Sequence, residues 1–255
     1  MKDSKLIINL AKNDFKVKYA GSYFGVFWAF FQPIIQILIF WFVFQVGFKA
    51  GPVKGYPYVL WLIAGMIPWF FFSDSLTSVT NCFIEYSFLV KKVVFNINIL
   101  PIVKVISSSY VHIFFIILMI FIYMFNGFMP DIYYIQILYY LLCSFLLVLS
   151  IAYLTSSIVI FFKDLNQIVL ISLQVLNWLT PIMWNYEMVS EKYRWILQLN
   201  PLYYIISGYR DTFINKVWFY QHPINTLYFL SFCVISMLVS KKIYFKLKPH
   251  FSDVL

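Results

Sequence analysis

Long stretches without a charged side chain are the feature that most limits what this chain can fold into. From Tyr19 to Phe48 no residue carries a charge, whereas about 20 apolar residues suffice for a helix to cross a bilayer. Similar stretches recur along the 255 residues, of which 62% are hydrophobic and 11% charged. Water-soluble domains do not have this composition, so the sequence predicts a protein that crosses a membrane several times.

The apolar pattern predicts an all-α integral membrane fold with six transmembrane helices. Their expected boundaries are residues 22–48, 58–80, 102–125, 132–162, 166–184 and 223–240. Pro68 lies within the second span, where a proline removes a backbone donor and kinks the helix. The fourth stretch exceeds one perpendicular crossing, so we expect it to tilt or to extend into the headgroup layer.

The segment before the first span is basic and amphipathic. Lys5, Lys12 and Lys16 recur at helical spacing on one face of residues 2–18. This pattern is typical of a helix that lies in the membrane interface. We therefore predict a cytoplasmic interfacial helix within residues 1–20.

A second amphipathic region, residues 185–221, precedes the last span. Charged residues alternate there with aromatic and aliphatic ones around Asn200 and Pro201, which favours two short helices at the opposite interface. The chain would thus form one transmembrane domain over 1–255. Its parts are the interfacial helix at 1–20, spans one to five at 22–184, the short helices at 185–221, span six at 223–240 and a cytoplasmic tail at 241–255.

The positions of the basic residues indicate how the spans are oriented. Thirteen of the 19 Lys and Arg residues fall in segments that this topology places in the cytoplasm. The other six are Lys49, Lys54, Lys192, Arg194, Arg210 and Lys216. Because cytoplasmic loops carry an excess of Lys and Arg, both termini are predicted to be cytoplasmic. The same rule and the attraction of anionic lipid explain the formal charge of +9 without nucleic acid.

Motifs for catalysis, metal binding or nucleotide binding are missing from the sequence. Neither Gly-x-x-x-x-Gly-Lys-Ser/Thr nor Gly-x-Gly-x-x-Gly occurs, so no phosphate-binding loop is predicted. Cys82, Cys143 and Cys233 lack Cys-x-x-Cys spacing, so we expect neither a metal site nor a disulfide framework. We predict a protein that is not an enzyme, has no catalytic residue and carries no cofactor of its own.

Asp74 and His112 are the only plausible candidates for ion coupling within the predicted spans. Asp74 follows Pro68 by about one turn, where it is expected to cap or solvate the kinked helix, with a contact to substrate or a neighbouring subunit as the alternative. His112 follows residues 107–110, Ser-Ser-Ser-Tyr, which can satisfy it by hydrogen bonds. This scarcity of ionisable groups argues against proton or sodium coupling.

Five short motifs occur in order along the chain. They are Tyr19-x-x-Ser22-x-x-Gly25-x-x-Trp28 followed by Pro33, Gly65-x-x-Pro68-Trp69-Phe70, Lys91-Lys92-Val93 before Pro101, Phe162-Lys163-Asp164-Leu165, and Asn200-Pro201-Leu202. Together they resemble the membrane subunits of ABC-2 type polysaccharide exporters. That family includes permeases for lipopolysaccharide O-antigen, capsular polysaccharide and wall teichoic acid, and the resemblance covers essentially the whole chain.

The resemblance implies an activity and a set of partners. The chain would be the permease subunit of an ATP-driven exporter in the bacterial cytoplasmic (inner) membrane. It would form a homodimer and assemble with two copies of a separate nucleotide-binding ATPase, which would bind ATP and Mg. The cargo would be an undecaprenyl-diphosphate-linked glycan that moves outward across the membrane.

The resemblance also implies roles for individual segments. Residues 5–18 resemble the family's interfacial helix, and residues 189–213 resemble paired short helices that help to gate the external mouth. The residues expected to contact the ATPase are Lys91, Lys92, Phe95, Asn96, Asn98, Lys163 and Asp164. Two departures from the family pattern are that Lys163 stands where Arg is frequent and that Asn96 breaks a common Phe-Pro step.

A passage for a hydrated glycan needs ring faces together with hydroxyl or amide groups, because these replace the water lost in hydrocarbon. The first and fifth spans offer such side chains at Tyr23, Phe27, Trp28, Phe31, Gln32, Gln36, Gln174, Asn177 and Trp178. Lys16 and Lys18 precede the first span and are the expected contacts to the lipid diphosphate. One chain has too few helices to surround such a passage, so a two-fold dimer is the expected architecture.

Two other functions stay open at this point. One is an ABC-2 exporter of a lipid or a drug. The other is a membrane enzyme that acts on lipid-linked sugars, which would need acids or histidines clustered at one interface, and Glu187 and Glu191 are its candidates. O-antigen, capsule and teichoic acid also stay open as cargoes.

Overall fold

A computed structural model of the chain describes residues 2–91 and 96–255, and these residues are predominantly helical. The α-helices are α1 (Lys2–Lys18), α2 (Phe27–Trp41), α3 (Tyr58–Thr80), α4 (Cys82–Glu85), α5 (Ser87–Val90), α6 (Leu100–Phe125), α7 (Gln136–Phe161), α8 (Leu165–Leu179), α9 (Glu191–Gln198), α10 (Pro201–Arg210), α11 (Pro223–Leu247) and α12 (Phe251–Val254). Within the described ranges the chain forms no β-strand, and Val53 and Tyr56 make an isolated bridge. The predicted all-α fold is confirmed.

Among the described residues, five helical segments are long and apolar enough to cross a bilayer. They are Phe27–Gly47, Tyr58–Thr80, Ile97–Phe125, Ile132–Phe161 and Pro223–Val254. The fifth predicted span, residues 166–184, instead contains the 15-residue helix α8 followed by an extended stretch. At 1.5 Å per residue, α8 is about 22 Å long, which is shorter than the bilayer hydrocarbon core of about 30 Å.

Two observed helix boundaries differ from the predicted ones. The first span begins at Phe27 rather than at residue 22, because residues 19–26 form turns in which Gly21 and Gly25 adopt φ values of 94° and 49°. The last helix continues from the predicted end at residue 240 to Leu247. In contrast, α3 matches its prediction at both ends and continues through Pro68.

Helix α3 is the centre of the molecule. It packs against α2, α6, α7, α8 and α10, and most of its residues are buried. A helix that is apolar all round belongs in such a position. Helix α2 is the opposite case, since Ala29 is its one buried residue within the described structure. Its apolar side chains are therefore available to lipid or to another protein surface.

Both chain ends lie at the same end of the helix bundle, which we call the α1 end. Helix α1 packs against the start of α6, and α12 packs where α7 ends. A second apolar cluster there joins Phe83, Tyr244 and Phe251. The opposite end, which we call the α9 end, contains residues 50–57, α9 and residues 211–222. The amino- and carboxy-terminal segments therefore share one side, as the predicted topology requires.

Candidate functional site

A central cavity of about 450 Å³ opens between α2, α3, α6 and α8. Its wall combines aromatic rings with amide, hydroxyl and carboxylate groups. The lining residues include Tyr19, Trp28, Gln32, Gln36, Phe70, Ser73, Asp74, Thr77, Ser108, His112, Gln174 and Asn177. A cavity of this size and mixed chemistry lies within the range of ordinary ligand sites, about 300–1,000 Å³.

Amide side chains enter the central cavity from two helices. Gln32 and Gln36 lie one turn apart on α2, whereas Gln174 and Asn177 lie on α8 at helical spacing. The Oδ1 atom of Asn177 is buried, and no donor reaches it among the described residues. An amide offers two donors and a carbonyl acceptor, so this wall can bind a hydroxyl-rich molecule from both sides.

The predicted passage residues divide into two groups. Trp28, Gln32, Gln36, Gln174 and Asn177 line the central cavity. The remaining four, Tyr23, Phe27, Phe31 and Trp178, are exposed on the outside of the chain. The exposed rings partly cover one another along α2, where the Phe27 and Phe31 rings stack with centroids 5.1 Å apart.

A polar network closes the central cavity toward the α1 end. Lys18 Nζ lies 2.6 Å from Asp74 Oδ1 and 3.1 Å from Ser78 Oγ. Ser108 Oγ donates to the other Asp74 oxygen at 2.6 Å. Asp74 therefore ties α1 to α3 and α6, rather than capping the helix that follows Pro68. Of the two predicted diphosphate contacts, Lys18 lies in this network and Lys16 is exposed.

His112 is a buried member of the cavity wall. Its Nε2 atom lies 2.9 Å from the hydroxyl of Tyr209, and its ring stacks on Phe71 with centroids 4.6 Å apart. The partner thus comes from α10 and not from the neighbouring serines and Tyr110, as the sequence had suggested. His112 consequently joins α6 to α10 across the bundle.

Asn98, one of the residues predicted to contact the ATPase, is hydrogen-bonded by residues of α7 and α11 and lies just before α6. Tyr153 of α7 donates to the backbone oxygen of Asn98 at 2.9 Å. Tyr244 of α11 donates to the Asn98 side chain, which Lys248 also approaches at 3.3 Å. Asn98 lies two residues before the start of α6, so a displacement of Asn98 would be transmitted to α6, α7 and α11.

Four further residues predicted for the ATPase contact are described, and they lie at the same end of the molecule. Lys91, Lys163 and Asp164 are exposed, and Asn96 accepts a hydrogen bond from the Asn98 amide at 3.3 Å. The predictions for Lys92 and Phe95 lie outside the described residues.

A buried lysine connects α1 to the same end of the bundle. Lys104 Nζ lies 2.6 Å from Asp14 and also pairs with Glu85, which is half-exposed. Tyr86 donates to Asp14 at 2.8 Å. Burial raises the pKa of Tyr86, and the Asp14 carboxylate raises it further, so the hydroxyl stays a donor. A lone lysine in an otherwise uncharged helix was the sequence signal for this cluster.

Arg210 organises the α9 end of the molecule. It is 7% exposed and donates to the backbone oxygens of Pro181 at 2.5 Å and Ile182 at 2.6 Å. Its guanidinium also lies 3.5 Å from the centroid of the Trp61 ring. The carbonyls it binds belong to the extended stretch after α8, where no helical hydrogen bond is available. From the sequence alone, Arg210 is one of the six basic residues placed outside the cytoplasm, and nothing there indicates that it is buried.

Comparison with known proteins identifies the class to which this architecture belongs. The family model described as "ABC-2 type transporter" matches residues 5–214, and the chain belongs to that family. It is a multi-pass membrane protein of the permease type.

Its relatives include two proteins of Klebsiella pneumoniae named "O-antigen export system permease protein RfbA", which are 30% and 29% identical to it over 252 residues. These alignments cover 98% of this chain and 95% of each relative. A protein of the same name from Myxococcus xanthus is 24% identical over 210 residues, which are 82% of this chain and 80% of that protein.

Proposed function

We propose that this chain is the membrane-spanning permease subunit of an ATP-driven exporter that moves lipid-linked polysaccharide, with O-antigen as the favoured cargo. The central cavity is the observation that carries the proposal, since amides on α2 and α8 face a wall that also holds aromatic rings. Ring faces stack on the C–H faces of sugars, and amides replace the hydrogen bonds of lost water. The relatives are named as O-antigen export permeases, which supports the same cargo class.

The proposed machine contains two copies of this chain and two copies of a separate ATPase, which binds ATP and Mg. Lys91, Lys92, Phe95, Asn96, Asn98, Lys163 and Asp164 would form the contact to that ATPase. Support for this assignment comes from the connection of Asn98 to α6, α7 and α11, because such a segment can transmit a displacement. The sparse burial of α2 supports a second copy that completes the passage.

The proposed topology places the α1 end in the cytoplasm of a bacterium and the α9 end outside its inner membrane. Helix α8 and the extended stretch after it would together make the fifth of six crossings. Helices α9 and α10 would then form the gate at the external mouth. The excess of Lys and Arg in the segments at the α1 end supports this orientation.

The lipid diphosphate of the cargo would approach from the α1 end, where Lys16 is exposed and Lys18 pairs with Asp74. An incoming phosphate can compete with the Asp74 carboxylate for Lys18, because both are anionic acceptors. Binding of the cargo would in this way release α1 from α3.

Reconstitution with the ATPase tests the proposed function. The chain, purified from membranes with its bound partners, is expected to bring an ATPase with it in equal number. In proteoliposomes the complex should move undecaprenyl-diphosphate-linked glycan across the bilayer only when ATP is supplied. Mass measurement of the complex then checks for two copies of each subunit.

Three results would overturn the proposal in different ways. A chain that never associates with an ATPase is not an ABC permease subunit. A complex that moves a drug or a free lipid but no glycan is an ABC-2 exporter of another class. A chain that alters a lipid-linked sugar without ATP is a membrane enzyme.

A further inference from the structure

A second cavity, of about 310 Å³, lies at the α9 end. We call it the outer pocket. Residues of α9, α10 and the start of α11 surround it, together with Lys54 from the loop before α3 and Asn185 from the stretch after α8. It shares no lining residue with the central cavity. A ligand in the outer pocket would therefore be recognised by side chains that do not contact a ligand in the central cavity.

Amide side chains and aromatic rings dominate the wall of the outer pocket. Gln198 and Asn225 both line it, and within the described residues neither side chain makes a hydrogen bond to the protein. The rings of Tyr186 and Tyr203 lie beside them with centroids 5.8 Å apart. This wall offers both donors and acceptors next to flat apolar surfaces.

Arg210 adds a donor that the protein does not use. Its two terminal nitrogens bind the carbonyls of Pro181 and Ile182, and the residue is more than nine-tenths buried. Its Nε atom is also buried, and among the described residues no acceptor reaches it. A buried donor without a partner is costly, and Arg210 lines the outer pocket, where a ligand oxygen can supply the missing acceptor.

The charges around the outer pocket are balanced. Lys54 and Arg210 are cationic, whereas Glu187 and Asp211 are anionic, and His222 Nε2 lies 3.5 Å from Asp211. An anionic ligand would meet two carboxylates, and a cationic ligand would meet a lysine and an arginine. A neutral molecule with several hydroxyl groups can use both signs, because each hydroxyl is a donor and an acceptor.

From this geometry we infer that the outer pocket binds one neutral sugar unit of the glycan as it leaves the membrane. Its volume is at the small end of ligand pockets, which hold about 300–1,000 Å³, so it suits a single pyranose better than a long chain. The inference rests on the proposed export of a glycan. It adds a second point of recognition, which depends on the sugar and not on the lipid diphosphate.

Binding of matched monosaccharides to the full-length permease in lipid nanodiscs tests this inference. Galactose, galacturonate and galactosamine share one ring and differ in charge, so they separate the neutral ligand from the charged ones. Saturation-transfer NMR is expected to show saturable binding of galactose in preference to the other two. The doubly substituted Gln198→Ala, Asn225→Ala permease should bind galactose about tenfold more weakly, because two hydrogen-bonding amides are lost.

The matched control is Gln221→Ala, which removes an exposed amide at the same end of the molecule but outside the pocket. It should bind galactose as the wild type does. Stronger binding of galacturonate or galactosamine than of galactose would overturn the inference without any substitution. Equal binding by the double variant and the wild type would also overturn it.

The outcomes also separate this inference from the proposed function. A permease that exports glycan but shows no saturable galactose binding disproves the outer sugar site and leaves the export function in place. A permease that binds galactose in the outer pocket but exports no glycan keeps the site and disproves the export function.

Discussion

The side chain of Arg210 occupies space next to Gly65 that a larger residue at position 65 would fill. A Cβ atom at position 65 would lie 2.7 Å from the Arg210 Nη2 atom and 3.2 Å from the Ile182 oxygen. Glycine therefore leaves the space in which the guanidinium reaches the stretch after α8. This contact gives a structural reason for the glycine in the sequence motif Gly65-x-x-Pro68.

We expect Gly65→Ala to destabilise the protein by about 1–3 kcal/mol, because the added methyl group displaces the guanidinium of Arg210. Thermal unfolding in detergent, followed by tryptophan fluorescence, measures the change. Gly51→Ala is the matched control, since nothing lies within 4 Å of a Cβ at that position. The control should stay within about 0.5 kcal/mol of the wild type. Equal stability of both variants would contradict the steric role of Gly65.

Lys104 is the second buried charge whose partners come from distant parts of the chain. We expect Lys104→Met to destabilise the protein by about 3–5 kcal/mol, because the Asp14 carboxylate, which is 5% exposed, is left without its cation. The same unfolding assay applies. Glu85→Gln keeps the Lys104–Asp14 pair and should have a much smaller effect.

The double variant Asp14→Asn, Lys104→Met separates charge burial from packing. It removes both charges, so it is expected to recover part of the stability lost in Lys104→Met. No recovery would mean that the lysine stem, and not its charge, holds α1 against α6.

The predicted helix bounds agree best with the observed ones where the sequence contains a clear start or stop signal for a helix. Helices α3 and α6 lie within two residues of their predicted bounds at both ends, since Pro57 and the Asn126-Gly127 turn mark where apolar runs begin and end. Helix α8 is shorter than predicted because an uncharged run does not reveal backbone conformation. The signal was present in Pro181, which disfavours helical geometry at the preceding Thr180.

The candidate site was less predictable than the helices. Amides on the first and fifth spans could be chosen from chemistry alone, and those residues line the central cavity. The ion pairs could not be predicted, because Lys18 and Asp74 are 56 residues apart in the sequence and Asp14 and Lys104 are 90 residues apart. Such pairs are created by tertiary packing, which no local pattern encodes.

The segment around Asn98 is the element through which ATPase movement is expected to reach the bundle. Asn98→Ala removes the acceptor that Tyr244 and Lys248 share. We expect glycan export per ATP hydrolysed to fall by about 2- to 30-fold, the range that corresponds to coupling changes of about 0.5–2 kcal/mol. ATP hydrolysis and export are measured together in proteoliposomes.

Asn126→Ala is the control for that experiment. It removes an exposed asparagine at the far end of α6, whose amide donates to the Ile122 oxygen. Export per ATP should be unchanged. If Asn98→Ala also leaves this ratio unchanged while the ATPase stays bound, then this residue has no part in coupling.

For the whole molecule, the central cavity predicts which face of the chain meets the cargo. The doubly substituted Gln32→Leu, Gln174→Leu permease loses one amide from each of the facing helices α2 and α8. We expect export to fall about tenfold, because two hydrogen bonds to the cargo are lost. Transport of labelled glycan into inverted vesicles measures the effect.

Val175→Ala provides the matched control, since this exposed residue of α8 does not line the cavity. Its export rate should equal that of the wild type. If the double variant exports glycan at the wild-type rate, the passage does not run through the central cavity.

The short length of α8 has a consequence for the membrane itself. A hydrophobic segment that does not reach across the bilayer is accommodated by local thinning of the lipid. Next to α8 the two lipid surfaces should therefore approach each other, and phosphate groups should dip toward the cavity that α8 borders. We expect the bilayer to be thinner on the side of the protein where α8 lies. A lipid-bound cargo would cross the least hydrocarbon there.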